Sequence, residues 1–295
     1  MAAPIPEHSM KTWAARTVRA AAAAGMVIMT IVATGCGGND GASSTAPASV
    51  IIVGATADAG IAIRSDDLGQ SWSTVVKGAA NSFTAVEFVD RDHAWIVGGS
   101  EIQHTGDGGA TWLRQEQGVP TGDDAPRLRD VAFADLDYGM AVGVTPSVPG
   151  RRTFAASVAL HTGDGGQGWA AAPSAVRGAN AAFEAVCTTR DGVAFAVGDS
   201  GFNSVSNAAI ATRSTDFGTT WKTVLIFSDV GKLNGSFRDV ACVAADDLWI
   251  AGQDVCQPFC GESDGPEQLL LLRSRDGGGT WSDESSPARL AVSPV

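Results

Sequence analysis

An eight-residue pattern, Ser/Thr-x-Asp-x-Gly-x-x-Trp, recurs five times in this chain, beginning at Ser65, Thr105, Thr162, Ser214 and Ser274. Its aspartates, Asp67, Asp107, Asp164, Asp216 and Asp276, are 40, 57, 52 and 60 residues apart, the spacing of one four-stranded propeller blade per repeat. Within each copy the Asp side chain can accept hydrogen bonds from nearby backbone N–H groups, while Gly69, Gly109, Gly166, Gly218 or Gly278 tolerates a positive φ. The result is a tight hairpin turn. Three residues on, Trp72, Trp112, Trp169, Trp221 and Trp281 are placed to bury an indole between neighbouring sheets. Five identical copies cannot all be one active site. The pairing of Asp with a hydroxyl is therefore read as architecture, and no catalytic residue, cofactor or metal is assigned to it.

Upstream of each box runs a short segment apolar on both faces: Val50–Gly54, Ala94–Gly98, Gly139–Gly143, Ala194–Gly198 and Leu248–Gly252. Earlier still lie Phe83–Phe88, Leu128–Phe133, Phe183–Thr188 and Phe237–Cys242. With the strands on either side of the box, each repeat has four, A to D, and the box is the C–D turn. The expectation is an all-β propeller of five blades. Nothing strand-like precedes Val50, so the first blade lacks its strand A. The last segment, Arg289–Val295, is expected to supply it and close the ring.

Lys11, Arg16 and Arg19 precede an uncharged run from Ala20 to Thr34, the pattern of an export signal over residues 1–35. Small residues before Cys36 resemble the lipobox of bacterial lipoproteins, which implies a lipidated Cys36 at the start of the mature chain. Gly37 rather than Asp follows, which in that family points to the outer membrane, on its periplasmic side or at the cell surface. Residues 36–49 read as a flexible tether and residues 50–295 as the propeller. The formal charge of −12 becomes −14 once three basic residues and Glu7 are removed, −12 − (3 − 1). That surface disfavours nucleic acid and anionic lipid as partners and is suited to a soluble, monomeric body.

Four cysteines besides Cys36 form an even set in a compartment that permits disulfides. Cys256 and Cys260 share one loop and are expected to close a small local bridge. Three intervening residues exclude a redox CxxC, and no histidine lies near them for zinc. Cys187 and Cys242 occupy neighbouring strands A and are either a second disulfide or two buried thiols.

The succession FxxVxF, xxAVG and TxDGGxTW resembles the Asp-box propellers of the photosystem II assembly and stability factor type, whose repeats are also called BNR repeats after bacterial neuraminidases. Thr105–Trp112 and Ser274–Trp281 match closely, whereas Leu68 and Phe217 replace the first Gly in boxes 1 and 4. The resemblance implies a propeller that binds other proteins during assembly. Sialidases share the box, but their chemistry needs a Tyr nucleophile and three arginines on the substrate carboxylate; the one tyrosine, Tyr138, opens a strand. A glycoside hydrolase is therefore a minor alternative.

Arg64, His104, His161, Arg213 and Arg273 each precede a box, a column whose members are expected to pair with nearby carboxylates rather than to form a cationic ring. Recognition is assigned to the long B–C loops of three consecutive blades, with Arg151, Arg152, Phe154, Phe202 and Phe259 on one face. The reading is a lipid-anchored, non-catalytic protein-interaction module for an envelope protein. A carbohydrate-binding lectin is the second reading, since loop aromatics also suit sugar rings.

Overall fold

The computed structural model describes residues 15–22, 25–32, 49–78, 82–146, 156–173, 181–200, 208–227, 234–255 and 268–285. Apart from one 3-10 turn, Gly122–Asp124, every element is a strand. Among the described residues no helix is long and apolar enough to cross a membrane.

The strands form five antiparallel sheets in chain order. Sheet 1 contains β1 (Ala15–Ala22), β2 (Gly25–Val32), β3 (Val50–Ala55), β4 (Gly60–Ser65) and β5 (Ser73–Lys77). Sheet 2 contains β6 (Ala85–Phe88), β7 (Ala94–Gly98), β8 (Glu101–Thr105) and β9 (Leu113–Gln115). Sheet 3 runs through β10 (Arg127–Phe133), β11 (Gly139–Thr145), β12 (Ala156–Thr162) and β13 (Ala170–Ala171). Sheet 4 has β14 (Ala181–Thr188), β15 (Ala194–Ser200), β16 (Ala208–Ser214) and β17 (Lys222–Phe227), and sheet 5 has β18 (Asn234–Cys242), β19 (Leu248–Val255), β20 (Gln268–Ser274) and β21 (Ser282–Asp283). Each sheet is an up-and-down meander with the box between its third and fourth repeat strands, which is the blade of a β-propeller.

Sheet 1 departs from expectation. Its strand A place is taken by β2, which pairs Ile28 with Val53 and Ile31 with Val50, and β1 adds a fifth strand through a hairpin with β2. An apolar run rich in Val, Ile and Met suits a strand as well as an export signal. Arg289–Val295, expected in that place, lies outside the described residues.

Alternation along every strand divides each sheet into a front face, toward the next sheet, and a back face, toward the previous one. Four apolar clusters fill the spaces between consecutive sheets. Ile51 and Val53 of sheet 1 meet Phe83, Val86 and Ile96 of sheet 2. Trp95 and Val97 meet Leu128, Val131 and Leu160. Met140 and Val142 meet Phe183, Ala196 and Ile210, and Phe195 and Val197 meet Phe237, Ile250 and Leu272. Among the described residues no such cluster joins sheet 5 to sheet 1.

Hydrogen bonds and a disulfide also cross between sheets. Asp130, buried at a bulge in β10, accepts the Val186 N–H at 2.8 Å. Cys187 of β14 and Cys242 of β18 form a disulfide with Cα atoms 5.6 Å apart, across 55 residues of sequence. Of the two readings open for these cysteines, the bridge holds. Closing a loop of that length stabilises by about 4 kcal/mol in the chain-entropy account.

Candidate functional site

The boxes are satisfied from within. In box 2, Thr105 Oγ1 donates to Asp107 Oδ1 at 2.8 Å and accepts the Gly109 N–H at 2.9 Å, while Asp107 accepts the Thr111 N–H and hydroxyl at 2.8 and 2.6 Å. Boxes 1, 4 and 5 repeat these bonds around Asp67, Asp216 and Asp276. Box 3 has Gly168 where the others carry a hydroxyl, so Asp164 accepts the Gly168 N–H at 2.9 Å and the Thr162 hydroxyl at 2.7 Å but has no second hydroxyl partner. The glycines take the expected positive φ, from 79° at Gly218 to 91° at Gly69. Hydrogen bonds from Ser71 and Thr111 hold the Asp67 and Asp107 carboxyls down at about 2. Asp276 lies at about 2 through the N–H and hydroxyl of Thr280. Carboxylates so committed to their own turns are unavailable as proton carriers.

Indole burial separates one box from the rest. Trp112, Trp169, Trp221 and Trp281 pack into the inter-sheet clusters, Trp169 with 4% of its surface exposed. Trp72 is 41% exposed, a correction to the expectation that all five indoles are wedged between sheets.

The basic column resolves into local contacts rather than a ring. Arg64 pairs with Asp66 at 2.7 Å and Arg273 with Asp247 at 2.7 Å. His104 stacks on Trp95 with centroids 4.4 Å apart, and the Arg213 guanidinium lies 5.8 Å from the Phe195 ring. Burial depresses the pKa of His104, with a smaller contribution from His93, so its imidazole is held neutral at ordinary pH.

The concavity lies at the strand-A ends. A funnel of about 1000 Å³ is lined by the A–B turns of sheets 2 to 5, including Glu87, Asp90, Asp135, Leu136, Arg190, Asp191 and Val243. Side-chain acceptors shape the turns of sheets 2 to 4, whereas that of sheet 5 is closed by the Val243 and Ala244 N–H groups on the Asp247 carbonyl. Asp90 takes the N–H groups of Asp92 and His93 at 2.8 and 2.7 Å. Asp135 takes those of Asp137 and Tyr138 at 2.9 and 2.8 Å, and Thr189 donates to Asp191. Burial opposes ionisation of Asp90, yet the His93 and Asp92 N–H groups and the His93 ring outweigh it and keep its carboxyl below the usual range. Four acidic residues and one arginine, Arg190, thus line the funnel, beside the exposed Leu136 and Val243. A site of this character attracts cationic groups and offers apolar surface beside them. No single motif marks it in the sequence: the turns of sheets 2 and 3 share Asp-x-Asp, at Asp90–Asp92 and Asp135–Asp137, but those of sheets 4 and 5 do not.

Among the described residues no group of three or more His, Cys, Asp or Glu is arranged to hold a metal ion. The loop residues assigned to recognition, Arg151, Arg152, Phe154, Phe202 and Phe259, lie outside the described residues, as do Cys36, Cys256 and Cys260.

A family model described as Photosynthesis system II assembly factor YCF48 matches residues 64–177, less than half of the chain. No curated protein matches. Among solved structures, the chain is similar to YCF48 bound to D1 peptide, with 19% identity, a TM-score of 0.48, and 80% of this chain aligned on 63% of that one. It is also similar to an ancestral GH74 enzyme at 11% identity and a TM-score of 0.56, over 80% of this chain and 29% of that one. For a GH74 enzyme from Niastella koreensis the values are 14%, 0.52, 80% and 36%. The chain therefore spans under two thirds of the length of the first of these neighbours and about a third of the two enzymes. At such identities the likeness establishes fold, and the fold is that of an all-β propeller with BNR-type boxes.

Proposed function

We propose that this protein is an exported, lipid-anchored, non-catalytic propeller that holds an extended, basic and apolar segment of an envelope protein in the funnel formed by the A–B turns. The observation that carries the reading is the funnel itself, with Glu87, Asp90, Asp135 and Asp191 set around Leu136 and Val243. Rigid strands fix these turns, so little ordering entropy is spent when a segment binds. The match of residues 64–177 to an assembly-factor family supports a scaffolding role over hydrolysis.

Export is supported by the Cys187–Cys242 disulfide, since such bonds persist in oxidising compartments. In this reading cleavage before Cys36 removes β1 and β2 with the signal, and the lipid on Cys36 tethers the propeller to the outer membrane.

Selection from a random displayed-peptide library tests the assignment. Sequences rich in Lys, Arg and Leu are expected to be enriched, with affinity falling as salt is raised. An Asp135→Lys/Asp191→Lys variant should lose the selected peptides at least tenfold in affinity. Enrichment of acidic peptides, or equal binding by that variant, overturns the assignment of the funnel.

A further inference from the structure

Three of the four inter-sheet interfaces repeat a small docking event. On the front face, the residue before the box lies directly across from an apolar residue of the second repeat strand: Ile51 with Arg64, Met140 with His161, Phe195 with Arg213, and Trp249 with Arg273. In three of the interfaces the box turn of the next sheet sits on this platform or beside it. Gly109 abuts Ile51, Gly218 stands against Met140 and His161, and Gly278 against Phe195, where a methyl added to the glycine would lie 3.2 Å from the ring. The neighbouring Gly277 approaches the Arg213 guanidinium. In the remaining one, Gly166 abuts Gln115 of sheet 2.

Two halves of this event have no counterpart among the described residues. On sheet 5, Arg273 lies 4.7 Å over the Trp249 ring, and no box turn covers the pair. Leu269, four residues before Arg273 on the same strand, is 50% exposed, although Ala209 at the equivalent step of sheet 4 is fully buried. On sheet 1, a methyl added to Gly69 would meet only the indole of Trp72 in its own box. Ile61 and Ile63 are only partly covered there, while their equivalents Ile210 and Leu272 are buried. Among the described residues, sheet 5 thus presents a platform on which no box turn sits, with Trp249 and Arg273 partly exposed, and sheet 1 a box turn with a partly exposed apolar backing.

We infer that the free back face of sheet 1 docks on the free front face of sheet 5 of a second copy of this chain, with the Leu68–Trp72 turn seated on the Trp249–Arg273 platform. The four interfaces inside the chain already join a front to a back, and the proposed contact continues the same series. A second copy presents both faces in the required chemistry, whereas within one chain sheets 1 and 5 share no apolar cluster among the described residues. Such a contact is heterologous: two copies either satisfy both pairs of faces and close, or use one pair and extend.

Light scattering on the purified full chain, from low to high micromolar concentration, tests this directly. The expected result is a mass of at least twice 30.1 kDa. Leu68→Glu blocks one face and Leu269→Glu the other, both at exposed positions, so each variant alone should run at half the wild-type mass or less. An equimolar mixture of the two should recover a two-chain species, since one intact pair of faces remains. If either variant loses its β-sheet circular dichroism, Trp72→Ser replaces Leu68→Glu and Leu269→Lys replaces Leu269→Glu. A wild-type chain that is monomeric throughout, whether closed on itself or open, overturns the inference. So does a mixture of folded variants that stays monomeric.

Discussion

Leu68 in sheet 1 and Phe217 in sheet 4 occupy the same step of the box, one residue before its glycine, and both adopt a positive φ, 58° and 56°. The Phe217 ring packs against Tyr138 of sheet 3, with centroids 4.3 Å apart, and covers Gly192 of its own sheet. Leu68 has 71% of its surface in water. The tryptophans of the two boxes diverge in the same sense. Both indoles donate to the box glycine carbonyl, Trp72 to Gly69 at 3.1 Å and Trp221 to Gly218 at 2.9 Å, but only Trp221 is packed against a neighbouring sheet. The Ser/Thr and Asp side-chain hydrogen bonds of the box close within its eight residues, and in boxes 2 to 5 one backbone N–H, from Gly108, Gly165, Phe217 or Gly277, also reaches the A–B turn of the same sheet. Burial of its apolar residues is the contribution of the sheet before it, and sheet 1 has none among the described residues.

The largest test of that contrast is a pair of truncations. Trp169→Ala removes an indole that is almost wholly buried and should cost about 3–5 kcal/mol. Trp72→Ala, at an indole with 41% of its surface in water, should cost clearly less, about 2 kcal/mol. Urea unfolding with matched m-values measures both. Equal losses would mean that the back face of sheet 1 is covered in solution, and repeating the experiment in a Leu269→Glu background would show whether sheet 5 of a second copy covers it.

Acid titration sharpens the comparison between complete and incomplete boxes. Asp67, Asp107 and Asp276 have folded-state pKa values near 2 against 3.8 in the unfolded chain. A depressed carboxyl contributes stability that is present above the unfolded value and lost as pH falls through the folded one. The thermal midpoint should therefore hold level above about pH 5 and decline between about pH 4 and pH 2. Asp164 is also lowered, through the Gly168 N–H and the Thr162 hydroxyl, but lacks a fourth-residue hydroxyl. Carboxyl NMR should find Asp164 titrating above Asp107, and Gly168→Ser should bring the two together. An Asp164 that already titrates with Asp107 would show that the hydroxyl is dispensable.

How much of this was legible in the sequence follows from the range of the interactions involved. The five boxes and their strands could be read because period, turn chemistry and alternation are local. That locality ends at the sheet edge. The exposure of Trp72 depends on whether another sheet lies behind it, and its sequence context matches that of the buried indoles. The Cys187–Cys242 bond needed the register of two sheets, known only once β14 and β18 are superposed as strands A. The strand in the strand A place of sheet 1 was missed because the run from Gly25 to Val32 carries the hydropathy of an export signal and of a strand at once. The funnel was hidden for another reason: of its four turns only those of Asp90 and Asp135 share a pattern, Asp-x-Asp, while those of Thr189 and Val243 differ, and the four meet only in the fold.

The smallest expected effect is also the one most specific to the contrast between Leu68 and Phe217. A side chain held in the left-handed region costs about 1 kcal/mol, which Leu68→Gly would relieve. Glycine adds chain entropy to the unfolded state and costs about 0.5–1 kcal/mol in return, so the net gain should be a few tenths of a kcal/mol at most, with no packing lost. Phe217→Gly relieves the same strain and adds the same entropy, but it also removes the ring from Tyr138 and uncovers Gly192. Lost aromatic packing of about 0.5–1.5 kcal/mol, beyond the area exposed, makes that substitution destabilising. Opposite signs in the two unfolding midpoints are the expected outcome. If Leu68→Gly also destabilises, the Leu68 side chain is in contact in solution, and a second chain seated on the box turn is the contact to look for.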